Sequence, residues 1–444
     1  MAVVATTGGA GGVGAELAQV RDDFVTVPGA ASEEIRETRL SNGIRVVTEL
    51  MPEARSVTLG AWVGVGGRDE PAELAGASHF LEHLLFKGTA QRSARAIAEA
   101  VDAVGGEMNA FTTREHTAYY ARLPADRVDV GLDILGDVLT EPAFRAHEVD
   151  AERQVILEEI LMNLDMPEDH VHTLLAEAVF PGHPLGREVL GTRETVEVLD
   201  RDQIEAFFRH WYQPRNLAVV AAGRLDHDHL VEAFETTLGK LSGGERPVRT
   251  APGPAAEPRV VRNDDTEQAH VTLGWRGVDY RDDDRYALSV VEQIFGGGMA
   301  SRLFQEVREE RGYCYSIYSW ASSYADSGLA GIYAGTNPAR LPDLLAVLDD
   351  QVAKLVADGV TPHELDLAKG YLEGSLVLGL EDSGSRMGRL GRSLVSRDEL
   401  TSLDEQLERL RAVTLDDAAR VANRVFGGAR SLAIIGPVDE SRLT

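Results

Sequence analysis

The sequence predicts an α+β protein built as two related halves. Strand-like and helix-like patterns interleave in a hairpin-like order rather than as repeated βαβ units, which favours α+β over a parallel sheet. A proline- and glycine-rich stretch at residues 242–254 reads as a linker near the middle of the chain. The same motif syntax recurs on either side of it: Val57-Thr58-Leu59-Gly60 opens one half and Val271-Thr272-Leu273-Gly274 the other.

In chain order, residues 45–48 and 56–63 read as strands. His79-Phe80-Leu81-Glu82-His83-Leu84-Leu85-Phe86-Lys87-Gly88 reads as a helix, and residues 95–104 as a second helix ended by Gly105. The alternation around Asn109, Ala110, Phe111, Thr112 and Thr113 suggests an edge strand. Residues 148–160 read as a long helix with apolar side chains at 155, 156 and 160. The chain is therefore divided into an N-terminal extension (1–35), a first domain (36–241), a linker (242–258) and a second domain (259–444).

The histidine helix carries the chemistry. Its pattern is H-x-x-E-H. Residues i and i+4 share one face of a helix, so the imidazoles of His79 and His83 can converge on one ion, with Glu82 on the same side to act as a general base. Two neutral imidazoles suit Zn²⁺, and a catalytic zinc needs a third protein ligand beside water. The alternative is a helix with three ordinary polar residues. On the helix at 148–160, Glu152 and Glu159 lie seven residues apart and share a face, while Glu158 points about 100° away from Glu159. One of the pair can ligate and the other can support the ligands from behind.

These motifs resemble the pitrilysin/insulinase family, and more closely its short-subunit branch, which includes mitochondrial processing peptidase. The resemblance runs over about residues 36–440. In that family a glutamate near 76 positions after the second histidine completes the zinc site; Glu159 follows His83 by 76 positions, in an E-R-x-x-x-x-E-E string that puts Glu152 at the supporting position. The segment from Gly105 to Thr113 is similar to the family's active-site strand, which makes Asn109, Ala110 and Phe111 candidates for substrate binding, with Asn109 placed to steady the substrate or Glu82. Arg308 and Tyr315 match a substrate-gripping pair, and the glycines at 296–298 are also typical. The resemblance implies two halves of mainly antiparallel sheet hinged around a chamber, one zinc per chain, and hydrolysis of peptides or unfolded segments. It equally allows a non-catalytic scaffold or a regulatory subunit, and a homodimer or heterodimer.

The second half lacks the presumed ligands. Residues 79–83 align with Ser289-Val290-Val291-Glu292-Gln293, and the helix at 148–159 with residues 364–375, which sets Ser375 opposite Glu159. All three positions lose their metal-binding side chain together, as expected of a duplicated fold with one active copy.

Composition narrows the setting. Across 444 residues, 44 Lys+Arg against 72 Asp+Glu give a net charge of −28, which argues against nucleic acid or anionic membrane as the main partner. No apolar run is long enough to span a bilayer, and the N-terminus has neither a basic-then-apolar leader nor an Arg-rich, acid-poor one. The single cysteine, Cys314, fits a reducing, cytoplasmic setting. The glycines at 8–14 imitate the start of a dinucleotide site, but no βαβ continuation follows, so a flexible extension is the better reading. His116, His170, His172, His183 and Cys314 are assigned no catalytic role.

Overall fold

The structure, a computed structural model, describes residues 22–23, 34–255 and 258–438. The glycines at 8–14 lie outside the described residues. The chain folds around two sheets. The first comprises β1 (Asp22–Asp23), β2 (Glu34–Arg39), β3 (Arg45–Leu50), β4 (Ser56–Val63), β5 (Glu107–Thr112), β6 (Thr117–Pro124) and β7 (Leu217–Gly223), in the order β1-β2-β3-β7-β4-β6-β5. The second comprises β8 (Arg259–Asn263), β9 (Ala269–Gly277), β10 (Cys314–Ser323), β11 (Gly328–Thr336) and β12 (Arg430–Gly436), in the order β10-β11-β9-β12-β8. Only β3 with β7 and β8 with β12 pair in parallel. The second sheet thus repeats the last five strands of the first in both order and sense: β10 stands for β5, β11 for β6, β9 for β4, β12 for β7 and β8 for β3. The fold is α+β with two homologous, mainly antiparallel halves.

Seven helices matter for the site and its support: α1 (Ala77–Leu85), α2 (Ala94–Asp102), α3 (Ala146–Asp165), α4 (Pro167–Val179), α5 (Arg285–Phe295), α6 (Pro362–Gly379) and α7 (Ser383–Arg397). The strand sequences explain the layering. In β4 (Ser-Val-Thr-Leu-Gly-Ala-Trp-Val) every residue after the first is buried, and all of β7 is buried, so the centre of the first sheet is covered on both faces. On one face Leu59, Ala121 and Val219 pack with Phe80, Leu84 and Ile156. On the other, Trp62, Val220 and Ala222 meet Met387, Leu390 and Leu394 of α7.

That second cover comes from the far end of the chain. The exchange is mutual, because α4 lays Val171, Leu175 and Val179 against Tyr333, Ala433 and Ile435 of the second sheet. Each sheet is closed by a helix from the opposite half, so the linker does not divide the packing in two. Buried ion pairs fix the exchange: Glu49, with no exposed surface, is held by Arg386 and Arg389 of α7. Arg68 bonds Glu115 within the first half at 2.5 Å and Asp326 across the halves at 2.6 Å. Removing one partner of such a pair would leave a buried charge uncompensated.

The α7 contact depends on Gly391. A methyl there would overlap the fully buried indole of Trp62, which also donates from Nε1 to Met387 Sδ at 3.2 Å. Gly391→Ala gains up to about 1 kcal/mol of helix propensity, but forcing a methyl into a packed aromatic contact costs about 1–3 kcal/mol. We expect a lower Tm for Gly391→Ala in thermal unfolding; an unchanged or higher Tm would show that this interface gives way freely.

Candidate metal centre

The helix α1 is anchored before it begins. Gly76 adopts a left-handed conformation (φ 98°) that only glycine accepts easily. The buried carboxylate of Glu70 accepts hydrogen bonds from the Gly76 and Ser78 backbone N–H groups at 2.8 and 2.7 Å. Those are among the donors that a helix start leaves unsatisfied, and a negative group there also suits the helix dipole. Burial pushes the Glu70 carboxyl up to about 7 despite these bonds. Phe80, Leu81, Leu84 and Leu85 turn into the core, so the opposite side of α1 presents His79, Glu82 and His83. Helix α3 packs against α1 through Val149, Ile156 and Ile160.

This packing brings Glu159 to the two histidines. Its Oε2 lies 3.5 Å from His79 Nε2 and 3.6 Å from His83 Nε2, and the imidazole centroids are 4.7 Å apart. Among the described residues, His79, His83 and Glu159 form the one group able to converge on a metal ion. Glu159 Oε2 is buried and has no hydrogen-bond partner, an arrangement that a cation would satisfy. Two imidazole nitrogens and one carboxylate oxygen are a donor set that suits a catalytic zinc. The residues present therefore fit the ion.

The two imidazoles differ in charge state. Burial, then the neighbouring His83, lowers the pKa of His79 to about 4, so at neutral pH it is the neutral imidazole that a metal needs. For His83 burial opposes charging, but the carboxylates of Glu159 and Glu152 outweigh it and raise the pKa. His83 keeps Glu159 below the usual carboxyl range. Glu152 lies behind the site, with Oε2 3.1 Å from His83 Nδ1. It faces the ring nitrogen turned away from Glu159, as a supporting partner should.

Glu82 belongs to the same helix face but is not one of the converging donors. Burial raises its pKa, partly opposed by Thr112 on β5. That strand is the outer edge of the first sheet, so one side of its backbone has no strand partner among the described residues. Within it, Ala110 and Phe111 are partly exposed, and Phe111 also packs edge-on to Trp62 at 5.5 Å. Asn109 was expected to steady the substrate or Glu82. Its Oδ1 instead accepts from the Ala110 N–H at 2.8 Å, and among the described residues it makes no hydrogen bond to Glu82. Thr112 is the residue beside Glu82.

Arg308 and Tyr315 lie together. The guanidinium lies 4.8 Å from the Tyr315 ring centroid and 4.6 Å from that of Phe304, and Tyr315 is 78% exposed on the edge strand β10. Among the described residues neither touches His79, Glu82, His83 or Glu159 through a hydrogen bond, ion pair or ring contact.

The second half repeats the scaffold without the donors. Helices α5 and α6 pack together as α1 and α3 do, carrying Ser289, Gln293 and Ser375 at the ligand positions. Glu292 persists where Glu82 stands; burial pushes it up to about 7, and Ser319 Oγ of β10 donates to it at 3.3 Å, much as Thr112 of β5 faces Glu82.

The remaining candidates are structural. His116 is buried against Trp62 and Phe111, and burial lowers its pKa to about 3. His170 and His172, two apart on α4, point to different sides, and His172 bonds the Tyr318 hydroxyl at 2.9 Å. His183 accepts from the Leu185 N–H at 3.2 Å. Cys314 is buried, and its thiol is pushed up to about 11, unsuited to a nucleophile.

Sequence reasoning missed Glu70, Thr112 and Lys87. Lys87 had a signal, because it lies four residues after His83 on the same helical side. Glu70 and Thr112 had none, since a loop and a strand reach α1 only through the fold.

Comparison with known proteins agrees with this reading of the fold. Residues 45–193 match the family model described as insulinase, peptidase family M16, and residues 199–372 the model described as peptidase M16 inactive domain. An uncharacterised zinc protease of Streptomyces coelicolor is 45% identical, with 92% of this chain and 91% of the relative covered. An uncharacterised zinc protease of Bacillus subtilis is 38% identical, with 91% and 98% covered. A crystal structure of a peptidase M16 inactive domain from Pseudomonas fluorescens superposes with a TM-score of 0.86 at 21% identity, over 91% of this chain and 98% of that one. A protease from Helicobacter pylori superposes at 0.84 and 23% identity, over 91% and 100%. No helix among the described residues is long and apolar enough to cross a membrane. The chain belongs to the insulinase family of zinc metalloproteases, peptidase family M16.

Proposed function

We propose that the chain is a zinc-dependent endopeptidase that cleaves peptides or unfolded segments, with one zinc per chain held by His79, His83 and Glu159. The observation that carries this is the convergence of three donor atoms beside a partly buried carboxyl, Glu82, next to an open sheet edge. When bound, the ion supplies Lewis acidity for activating a water and polarising the scissile carbonyl. Glu82 takes the proton of the attacking water on a carboxylate oxygen and delivers it to the leaving amine. The raised pKa of Glu82, caused mainly by burial, suits a group that must accept and then release a proton. The free edge of β5 receives an extended substrate by main-chain hydrogen bonds, with Ala110 and Phe111 beneath it. Recognition of that kind reads backbone first, so specificity rests on side pockets.

Arg308 and Tyr315 form a cation–aromatic pair suited to gripping a substrate backbone or carbonyl. To do so they must be carried to the histidines of a facing half, by closure or by a second copy or related chain.

The alternative is a scaffold or regulatory subunit. The words "inactive domain" favour it: the family model so described matches residues 199–372, which carry Gln293 and not the histidine motif, but the Pseudomonas fluorescens structure so described superposes over 91% of this chain. One experiment separates the readings: zinc content of the purified chain, with cleavage of an unfolded protein and a quenched peptide library, before and after a chelator. We expect about one zinc per chain, cleavage abolished by the chelator, and recovery on adding zinc. Zinc without cleavage would favour the scaffold or an absent partner; a chain that takes up no zinc would overturn the site.

A further inference from the structure

Beside the candidate ligands stands a cation that the mechanism above does not use. Lys87 Nζ lies 2.6 Å from Glu152 Oε1, while the other oxygen of the same carboxylate lies 3.1 Å from His83 Nδ1. The three side chains form a line, Lys87–Glu152–His83, that ends at a ring whose Nε2 faces Glu159. Glu152 is 5% exposed, whereas Lys87 reaches it from the half-open side of the site.

The backbone holds Lys87 in that place. It lies just past the end of α1, where its N–H donates to Leu84 O at 3.0 Å. Gly88 follows with φ 120°, and a Cβ there would collide with Arg92 O, so the chain turns sharply at this point. The turn is then tied to the start of α3, because the Ala143 N–H donates to Gly88 O at 3.1 Å and Arg145 Nη2 to Thr89 O at 2.7 Å. The end of α1 and the start of α3 are thereby locked together, with the ammonium over Glu152.

A buried carboxylate with a single partner has freedom to swing, and leaving its charge unmatched is costly. Held at both oxygens, it has one orientation. It then accepts from His83 Nδ1–H, which selects the tautomer with a free lone pair on Nε2. His79 has no such support, since its Nδ1 is buried without a partner. The rigid ligand of the pair is therefore His83, and its rigidity traces back to Lys87.

We propose that Lys87 is a positioning residue of the metal centre, acting through Glu152 to orient His83 for zinc. This rests on the site assignment of the preceding section but not on catalysis, so its test reads zinc affinity by competition with a chromogenic chelator. Lys87→Met should weaken zinc binding by about tenfold to a hundredfold, the usual effect of losing an outer-shell partner. Lys87→Arg, which keeps the charge, should retain most of the affinity and the metal-free Tm, whereas Lys87→Met should also lose some metal-free Tm, because it leaves the buried Glu152 carboxylate with one partner. In a Glu152→Gln background, Lys87→Met should add little, because the group it acts through is gone. Wild-type affinity in Lys87→Met, or an undiminished effect in the Glu152→Gln background, would overturn the proposal. Were the wild type itself to take up no zinc, the site assignment would fall and this proposal with it. Zinc binding without cleavage would overturn only the peptidase reading and leave the Lys87 result standing.

Discussion

Glu82→Gln should leave zinc bound and lower kcat by about 10²–10⁴-fold, the contribution of a positioned general base. Glutamine matches glutamate in shape, so neither the helix face nor the contact with Thr112 needs to change. Because the convergent donors are His79, His83 and Glu159, zinc content should match wild type while turnover is lost. KM should move little if Glu82 acts mainly in the transition state. The measurement is steady-state cleavage of a quenched peptide alongside elemental analysis. A variant that cleaves at the wild-type rate would remove Glu82 from the mechanism, and one that loses its zinc would make Glu82 a ligand.

Glu159→Ala should have the opposite signature: zinc is lost first, and activity because of it. Loss of a direct ligand should weaken binding by more than the roughly 10–100-fold that an outer partner is worth. The metal-free protein should not suffer. Glu159 sits partly exposed on α3, its Oε2 lacks a hydrogen-bond partner, and alanine favours helix. The clear readout is therefore the thermal shift on adding zinc. Wild type should gain Tm with zinc by mass action, and Glu159→Ala should gain far less at the same concentration. An equal shift in both would show that the ion binds elsewhere.

These two variants act on different links of one chain of causes. Glu159 reaches α1 only because Val149, Ile156 and Ile160 of α3 pack into the core shared with Phe80 and Leu84. Glu82 reaches an open sheet edge because β5 is the outermost strand of the first sheet. The second half keeps this geometry in α5, α6 and β10, but carries Ser289, Gln293 and Ser375. Scaffold and metal chemistry are thus separable in this fold. A helix pair under an edge strand is what the packing requires, and the donor side chains are added to it.

Much of the site was legible because its determinants are local. His79, Glu82 and His83 share a helix face by the 3.6-residue period alone, whatever the helix packs against. The strands read at 45–48 and 56–63 and the helix of Glu159 follow from periodicity in the same way, the first strand running on to Leu50 in the structure. Where the reading depended on a side chain's neighbour across the fold, it was weaker. Asn109 was expected near Glu82, and Thr112 stands there instead, because strand twist and pairing with β6 decide which residue of β5 approaches α1. Arg308 and Tyr315 were matched as a pair and do lie together, but nothing in their spacing shows how far they stand from His79, His83 and Glu159.

From sequence alone came the duplicated α+β plan, the loss of donors in the second copy and the helix face shared by His79, Glu82 and His83, since each is written in short-range pattern. The tertiary structure decided the rest. It showed that α4 and α7 each close the opposite half's sheet, that Glu70 caps α1, and that Lys87 grips Glu152 behind His83. Trp62 and Met387 are 325 residues apart, and an apolar face in a sequence reveals that it must be buried but not against what. Only the folded chain selects the partner, because burial is non-directional while close packing and buried charge admit one arrangement.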